Sequence, residues 1–177
     1  AVYTMRFVDK PDIYIIQQLT NADGLIGQWA VTNVADAVVW LGQTDFYIYD
    51  GGSLRSIPNN NLVHWIFESL NLEKGFLSFT WYLENFDEIW WFFPSDDSNE
   101  PDTYVIWNYE EDHWTNGTLT RTAAERNVRL LDQEYLAVGT CDESIATTLY
   151  LHEFGHADDG ANMVGSLTTN YTLIGEG

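Results

Sequence analysis

If this chain does chemistry, the residues for it are spelled most plainly in LYLHEFGHADDG, positions 149 to 160, where His152, Glu153 and His156 form a literal H-E-x-x-H. On a helix, histidines four apart share one face and grip a zinc ion, while the glutamate between them serves as general base for the metal-bound water. A third ligand must complete such a site. The metzincin continuation requires glycine at 159 and histidine at 162, whereas this chain has Asp159 and Asn162, with Gly160 one place late. Glu176 is a more distant candidate, but it sits between glycines after the strand-like YTLI, poor scaffolding for a ligand on a helix. The approach ATTLYL is β-branched and aromatic and lacks a cap, so it prefers a strand. Along a strand His152 and His156 stand about 13 Å apart, too far to share one ion. The expectation is a strand running into an Asp-Asp-Gly turn, with no catalytic, cofactor-binding or metal-binding residue and no cofactor.

Other constellations carry less. SDDSNEPD, 95 to 102, is rich in carboxylates but lacks the glycine and the ligand alternation of an EF-hand loop, so it reads as a solvated connection between strands. Asn116-Gly117-Thr118 and Asn170-Tyr171-Thr172 fit the glycosylation sequon, a match that chance supplies without a secretory signal. Among the eight tryptophans, Trp40, Trp90, Trp91 and Trp107 lie inside strand-like runs, where large rings are core or cross-strand partners before they are sugar platforms. Cys141 stands alone, without a partner for a disulfide or an evident histidine for a nucleophilic pair. His64 falls on a helical segment and His113 beside Trp114 in an acidic turn, and both read as surface or packing residues.

The elements that would position any of these residues are strands. AVVWLG, DFYIYDGG, FLSFTWYL, EIWWFFPS, TYVIWNYE, YLAVGTC and TTLYLHEF are short aromatic or β-branched runs bounded by Gly, Pro, Asn and Asp. The one helical spacing, Leu62, Trp65, Ile66, Ser69 and Leu70 behind asparagines at 59 to 61, predicts a short helix near 61–71. Residues 120 to 132, with Arg121, Arg126 and Arg129, read equally as a connector or a helical turn. A weak repeat runs through the strands: Phe46 to Asp50, Tyr104 to Asn108 and Leu149 to Glu153 superpose three apolar residues, a ring, and a polar turn former or acid. Each follows another apolar run. Paired strands recurring in this way predict a mainly β fold of β-propeller-like repeated antiparallel sheets. Residues 1–177 then form a portion of one such domain, with blade-like segments near 24–58, 76–118 and 135–177.

Seven Lys and Arg against 27 Asp and Glu give a net charge of −20 over 177 residues. That surface repels nucleic acid and anionic membrane, whose binding relies on basic groups that release counterions. No apolar run approaches the roughly 20 residues that a helix needs to cross a bilayer. The opening AVYTMRFVDK has neither an initiator Met nor the layout of a signal peptide, and with the abrupt end at IGEG it suggests a piece of a longer chain.

The succession GLIGQWAV, VVWLGQTDFYIYDGG, FDEIWWFFPSDDSNEPDTYVIWNYEEDHWTNGTLTRTA and LYLHEFGHADDGANM resembles the structural proteins of short-tailed bacteriophages, over residues from about 24 to 177. Trp40, Gly42, Phe46, Tyr47, Tyr49, Asp50 and Gly51 match that family's first block, and Glu88, Trp90, Trp91, Phe92, Pro94 and Ser95 its second. Tyr104, Asn108, Tyr109, Glu111 and Trp114 match the third, and His152, Glu153, Gly155, Asp158, Asp159 and Gly160 the last. His156 departs from it, standing where an apolar residue is usual, and it alone completes the apparent zinc motif. The resemblance implies a non-enzymatic virion protein of the phage tail, in the nozzle or the head-to-tail stabilisation complex. It implies copies assembled in a ring, hexameric by that likeness, beside neighbouring tail adaptor and tail proteins. Genome DNA would pass through the lumen without specific binding, past an acidic wall that lowers friction, with no membrane partner. Two alternatives come from other classes: a zinc metallopeptidase using His152, Glu153 and His156, and a glycan-binding module for host recognition.

Overall fold

The computed structural model describes residues 1–19, 22–59, 62–130, 133–143, 146–152, 155, 157–158 and 161–162. The fold is mainly β, with antiparallel sheets and, among the described residues, one α-helix. A two-stranded ribbon comes first, β1 (Val2–Phe7) and β2 (Tyr14–Leu19). A four-stranded sheet follows, β3 (Val31–Val34), β4 (Ala37–Leu41), β5 (Phe46–Tyr49) and β6 (Leu54–Ser56). The helix α1 (Leu62–Ser69) leads to a second four-stranded sheet of β7 (Phe79–Leu83), β8 (Glu88–Phe93), β9 (Thr103–Asn108) and β10 (His113–Thr118). A third sheet has β11 (Ala123–Leu130), β12 (Gln133–Glu143) and β13 (Ala146–His152), before the short pair β14 (Ala157–Asp158) and β15 (Ala161–Asn162). The three large sheets are meanders whose strands lie in chain order, and among the described residues the strand pairings close no barrel.

The three repeated segments occupy the same place in their sheets, since β5, β9 and β13 are each the third strand. Their registers also agree. Ile48, Ile106 and Leu151 pair with Val39, Trp90 and Val138 on the second strands, and these pair with Thr32, Trp81 and Glu125 on the first. The polar residue that ends the repeat also has one job in the first two sheets. Asp50 accepts the Ser53 N–H at 2.7 Å and Asn108 accepts the Glu111 N–H at 2.8 Å, each folding the chain back three residues on. Gly51 takes φ +87° inside the first of these turns, a conformation that glycine adopts without a Cβ clash.

The second sheet is the middle layer. One of its faces, with Ile89, Trp91, Phe93, Val105 and Trp107, packs on Val39, Leu41 and Phe46 of the first sheet and on Ile66 of the helix. Phe46 sits 4.7 Å from both Trp91 and Trp114, ring centre to ring centre. The opposite face, with Phe79, Trp81, Leu83 and Phe92, packs on Leu119 and on Ala124 of the third sheet. Alternation along the strands makes two-sided burial possible: successive residues of β8 and β9 serve the two cores in turn. Between sheets the backbones come closest at β3 with β7 and at β7 with β11, the first strand in each case. Thr80 N–H donates across the first of these junctions to the Trp29 carbonyl at 2.9 Å.

Helix α1 buries Ile66 completely, and Leu70 just beyond it bridges to Ser95. The expected asparagine cap differs in detail. Asn59 turns its side chain to Asp45 and the Ile57 carbonyl, and its own carbonyl accepts the Leu62 N–H at 2.8 Å, while residues 60 and 61 lie outside the described set. Residues 123 to 130 resolve the open reading of the arginine-rich segment: they are strand β11. The third sheet therefore starts at Ala123, earlier than the predicted segment from 135.

Candidate functional site

His152 is the last residue of β13 and pairs with Ala137. In the register of the meanders it stands where Tyr49 and Trp107 stand, and like Trp107 it faces back toward the preceding sheet. Its ring meets Trp81 of β7 edge-on at 5.0 Å. Nε2 accepts a hydrogen bond from Nε of Arg121 at 2.9 Å, which leaves the ring proton on Nδ1. Burial first, and the Arg121 charge second, hold the His152 pKa down to about 4, so the ring is neutral at pH 7.

Arg121 is itself buried and makes several contacts at once. Its guanidinium lies 4.3 Å from the centre of the Tyr150 ring, Nη1 donates to the Thr120 carbonyl at 2.7 Å, and its backbone N–H donates to the Pro101 carbonyl at 3.0 Å. Gly139 on the middle strand of the third sheet makes room for the pair. A Cβ there would stand 2.8 Å from Arg121 Cδ and 3.1 Å from His152 Nε2, closer than side-chain carbons approach. A second arginine repeats the device one strand away, where Arg126 lies 4.6 Å over the Tyr82 ring and 3.6 Å from Glu84. Charged residues thus cover aromatic faces between the second and third sheets, each as a cation above a π system. Arg121, Gly139 and Tyr150 were not singled out in the sequence. Only the run of arginines in an acidic chain pointed toward them.

Glu153, His156, Asp159, Gly160 and Glu176 lie outside the described residues, as does Asn170. Asn162 pairs with Ala157 in the short ribbon β14–β15. Cys141 is on β12 opposite Thr148, and Asn116 is on β10 opposite Val105. His64 pairs with Glu68 one helical turn on, at 3.1 Å, and His113 with Glu111 at 3.2 Å, both on the surface. In the 95 to 102 loop, Asp102 accepts the Ser95 N–H and hydroxyl, each at 2.7 Å, so this carboxylate fastens the loop to itself. Among the described residues no group of three or more His, Cys, Asp or Glu side chains is placed to hold a metal ion. The four tryptophans read as packing residues are so placed, Trp40, Trp91 and Trp107 buried and Trp90 stacked on Tyr104 at 4.8 Å; Trp29, outside that reading, is 67% exposed.

A cavity of about 710 Å³ separates the ribbon β1–β2 from the first sheet and is lined by Tyr3, Arg6, Gln17, Trp40 and Tyr49 among others. Around His152 the described side chains lock the second sheet to the third. Compared with protein-family models and with curated proteins, the chain matches none.

Proposed function

We propose that this chain is a non-enzymatic structural subunit of a phage tail, its meanders serving as blades of a β-propeller-like domain in the DNA ejection conduit. The observation that supports this most is the threefold recurrence of one register, with the first strands β3, β7 and β11 adjacent and the sheets stacked face to face. Radially repeated sheets have that geometry, with inner strands close and the outer strands spread. A rigid aromatic core in every layer suits a part that must hold its shape under load. The net charge of −20 suits a wall past which DNA moves without sticking.

The metallopeptidase alternative needs His152 to offer a nitrogen lone pair to zinc. Nε2 already accepts the Arg121 bond, and a cation 2.9 Å away would repel a metal there, which favours the structural reading. Mass spectrometry of purified particles tests the proposal, with the chain expected at stoichiometric copy number and with particles lacking it failing to retain or eject their genome. Absence from the particle would overturn it, as would stoichiometric zinc in the purified protein that is lost on His152→Ala.

A further inference from the structure

Trp29 and Phe76 are large rings that belong to neither core, 67% and 59% exposed. Both are carried on fixed backbone. The Trp29 carbonyl accepts the Thr80 N–H at 2.9 Å, and Trp29 is bridged in parallel to Phe79. Phe76 lies in the helical turn Gly75–Leu77, which the Ser78 N–H closes on the Gly75 carbonyl at 3.0 Å. The two loops touch at Gly27. A Cβ there would stand 2.8 Å from the Phe76 carbonyl oxygen and 2.7 Å from that of Ser78, so this approach of backbone to backbone requires glycine. Both rings line a cleft of about 570 Å³, together with residues of the first strands β3, β7 and β11. Its polar side chains are mixed in kind. Gln28 and Glu125 are exposed, and Arg126 is held 4.6 Å over the Tyr82 ring. In a chain of net charge −20, the two charged residues that line this cleft, Glu125 and Arg126, cancel. Three of its residues also carry a buried polar atom without a hydrogen-bond partner: Thr80 Oγ1, Trp81 Nε1 and Arg126 Nη1.

We infer that this cleft binds a short stretch of a neutral glycan, with Trp29 and Phe76 as stacking platforms and Gln28, Glu125 and Arg126 as partners for its hydroxyls. A sugar ring has an apolar face that stacks on an aromatic ring, and a girdle of hydroxyls that both donate and accept hydrogen bonds. The two exposed rings offer the first kind of contact. An amide, a carboxylate and a guanidinium offer the second, since together they supply donors and acceptors. Cancelling charges give an ionic ligand nothing to gain, and a purely apolar one would strip water from three polar heads without pairing them. An extended peptide needs free main-chain groups, but the Trp29 carbonyl and the Thr80 N–H are bonded to each other. The unpaired atoms of Thr80, Trp81 and Arg126 are shut off from bulk water, so they join a hydroxyl only as side chains shift on binding. The cleft's volume falls within the roughly 300–1,000 Å³ of small-ligand sites, which suits a few sugar units. This inference stands on the cleft alone and is independent of the tail-subunit reading.

Saturation-transfer NMR on the whole chain tests this, with maltotriose, cellotriose and triacetylchitotriose as neutral probes and sialyllactose as an acidic one. At least one neutral trisaccharide should receive saturation. Trp29→Ala and Phe76→Ala should each raise its Kd about tenfold or more in titration calorimetry, the effect of removing a stacking ring at the centre of a site. Trp29→Phe should keep most of the affinity, because a ring remains. Both positions are exposed, so the variants should fold as the wild type does, which circular dichroism checks. Trp65→Ala, on α1 and outside the cleft, is the control whose Kd should not change. Failure of all three neutral probes to receive saturation overturns the inference, and so does binding that Trp29→Ala leaves unchanged. A preference for sialyllactose would make the cleft an anion site and sink the neutral class. Retention of tryptic albumin peptides in place of the sugars, lost in Trp29→Ala, would make it a peptide groove and sink the inference equally.

Discussion

Arg121 and His152 hold each other in a fixed state, and the consequences are measurable. Protonating His152 in the folded chain places a second cation beside a buried guanidinium, whereas the unfolded chain takes up that proton near the ordinary value of 6.5. With the folded value at about 4, the unfolded state carries more protons between these limits. The contribution is fully present above pH 6.5 and is lost as pH falls toward 4, by roughly 2–3 kcal/mol for this group. Carboxylates titrate in the same range, so the difference between wild type and His152→Gln isolates the ring. Urea unfolding from pH 7 to 4 should show wild-type stability falling relative to the variant, and parallel profiles would exclude the coupling. Gly139→Ala tests the same cluster sterically. A methyl at 2.8 Å from Arg121 Cδ must displace a side chain already fixed by His152 and the Thr120 carbonyl, at a cost of about 1–3 kcal/mol, read as a lower unfolding midpoint.

At the scale of elements, the aromatic layer between the first and second sheets carries the packing. Trp91 is fully buried between Phe46 and Trp114, so Trp91→Ala should cost about 3–5 kcal/mol. Trp65→Ala, on the half-exposed side of α1, should cost much less, and equal losses in thermal unfolding would show that the layer is not the core. These elements were legible in the sequence for a physical reason. Strand β8 is apolar from Ile89 to Phe93 because its two faces serve the two cores, and Asp50 and Asn108 mark the turns that follow β5 and β9. Strand β11 was not legible. Arg126 and Glu125 look like solvent-facing residues, and only the Tyr82 ring beneath the guanidinium explains a charged residue at a sheet junction. The β1–β2 ribbon escaped for the opposite reason: VYTMRF alternates from Tyr3 to Phe7 as a strand does, but YIIQQL does not, and the repeat that revealed the others does not extend to either. His152 was placed on a strand by that repeat, whereas its arginine partner, 31 residues earlier, could come only from the fold.

The whole molecule carries −20 charges with few attractions to set against them. Arg126 meets Glu84 at 3.6 Å on a partly exposed side, and the His64–Glu68 and His113–Glu111 contacts are ionic only when the ring is protonated, so each is worth little and salt weakens it further. Repulsion among the carboxylates acts over longer distances and opposes both the compact state and any contact between copies. Salt therefore removes more repulsion than attraction. The screening length shortens from about 30 Å at 0.01 M to about 10 Å at 0.1 M, a span that crosses the spacing of charges on a domain of this size. Thermal unfolding should accordingly shift upward by several degrees as sodium chloride rises over that range, with most of the gain complete by about 0.1 M. If copies assemble in a ring as proposed, their association should strengthen over the same interval, because the acidic surfaces cease to repel. An uncharged osmolyte at matched osmolality separates screening from preferential exclusion. Should the unfolding temperature fall with salt, the ion pairs outweigh the net charge, and the picture of a surface shaped by like-charge repulsion is wrong.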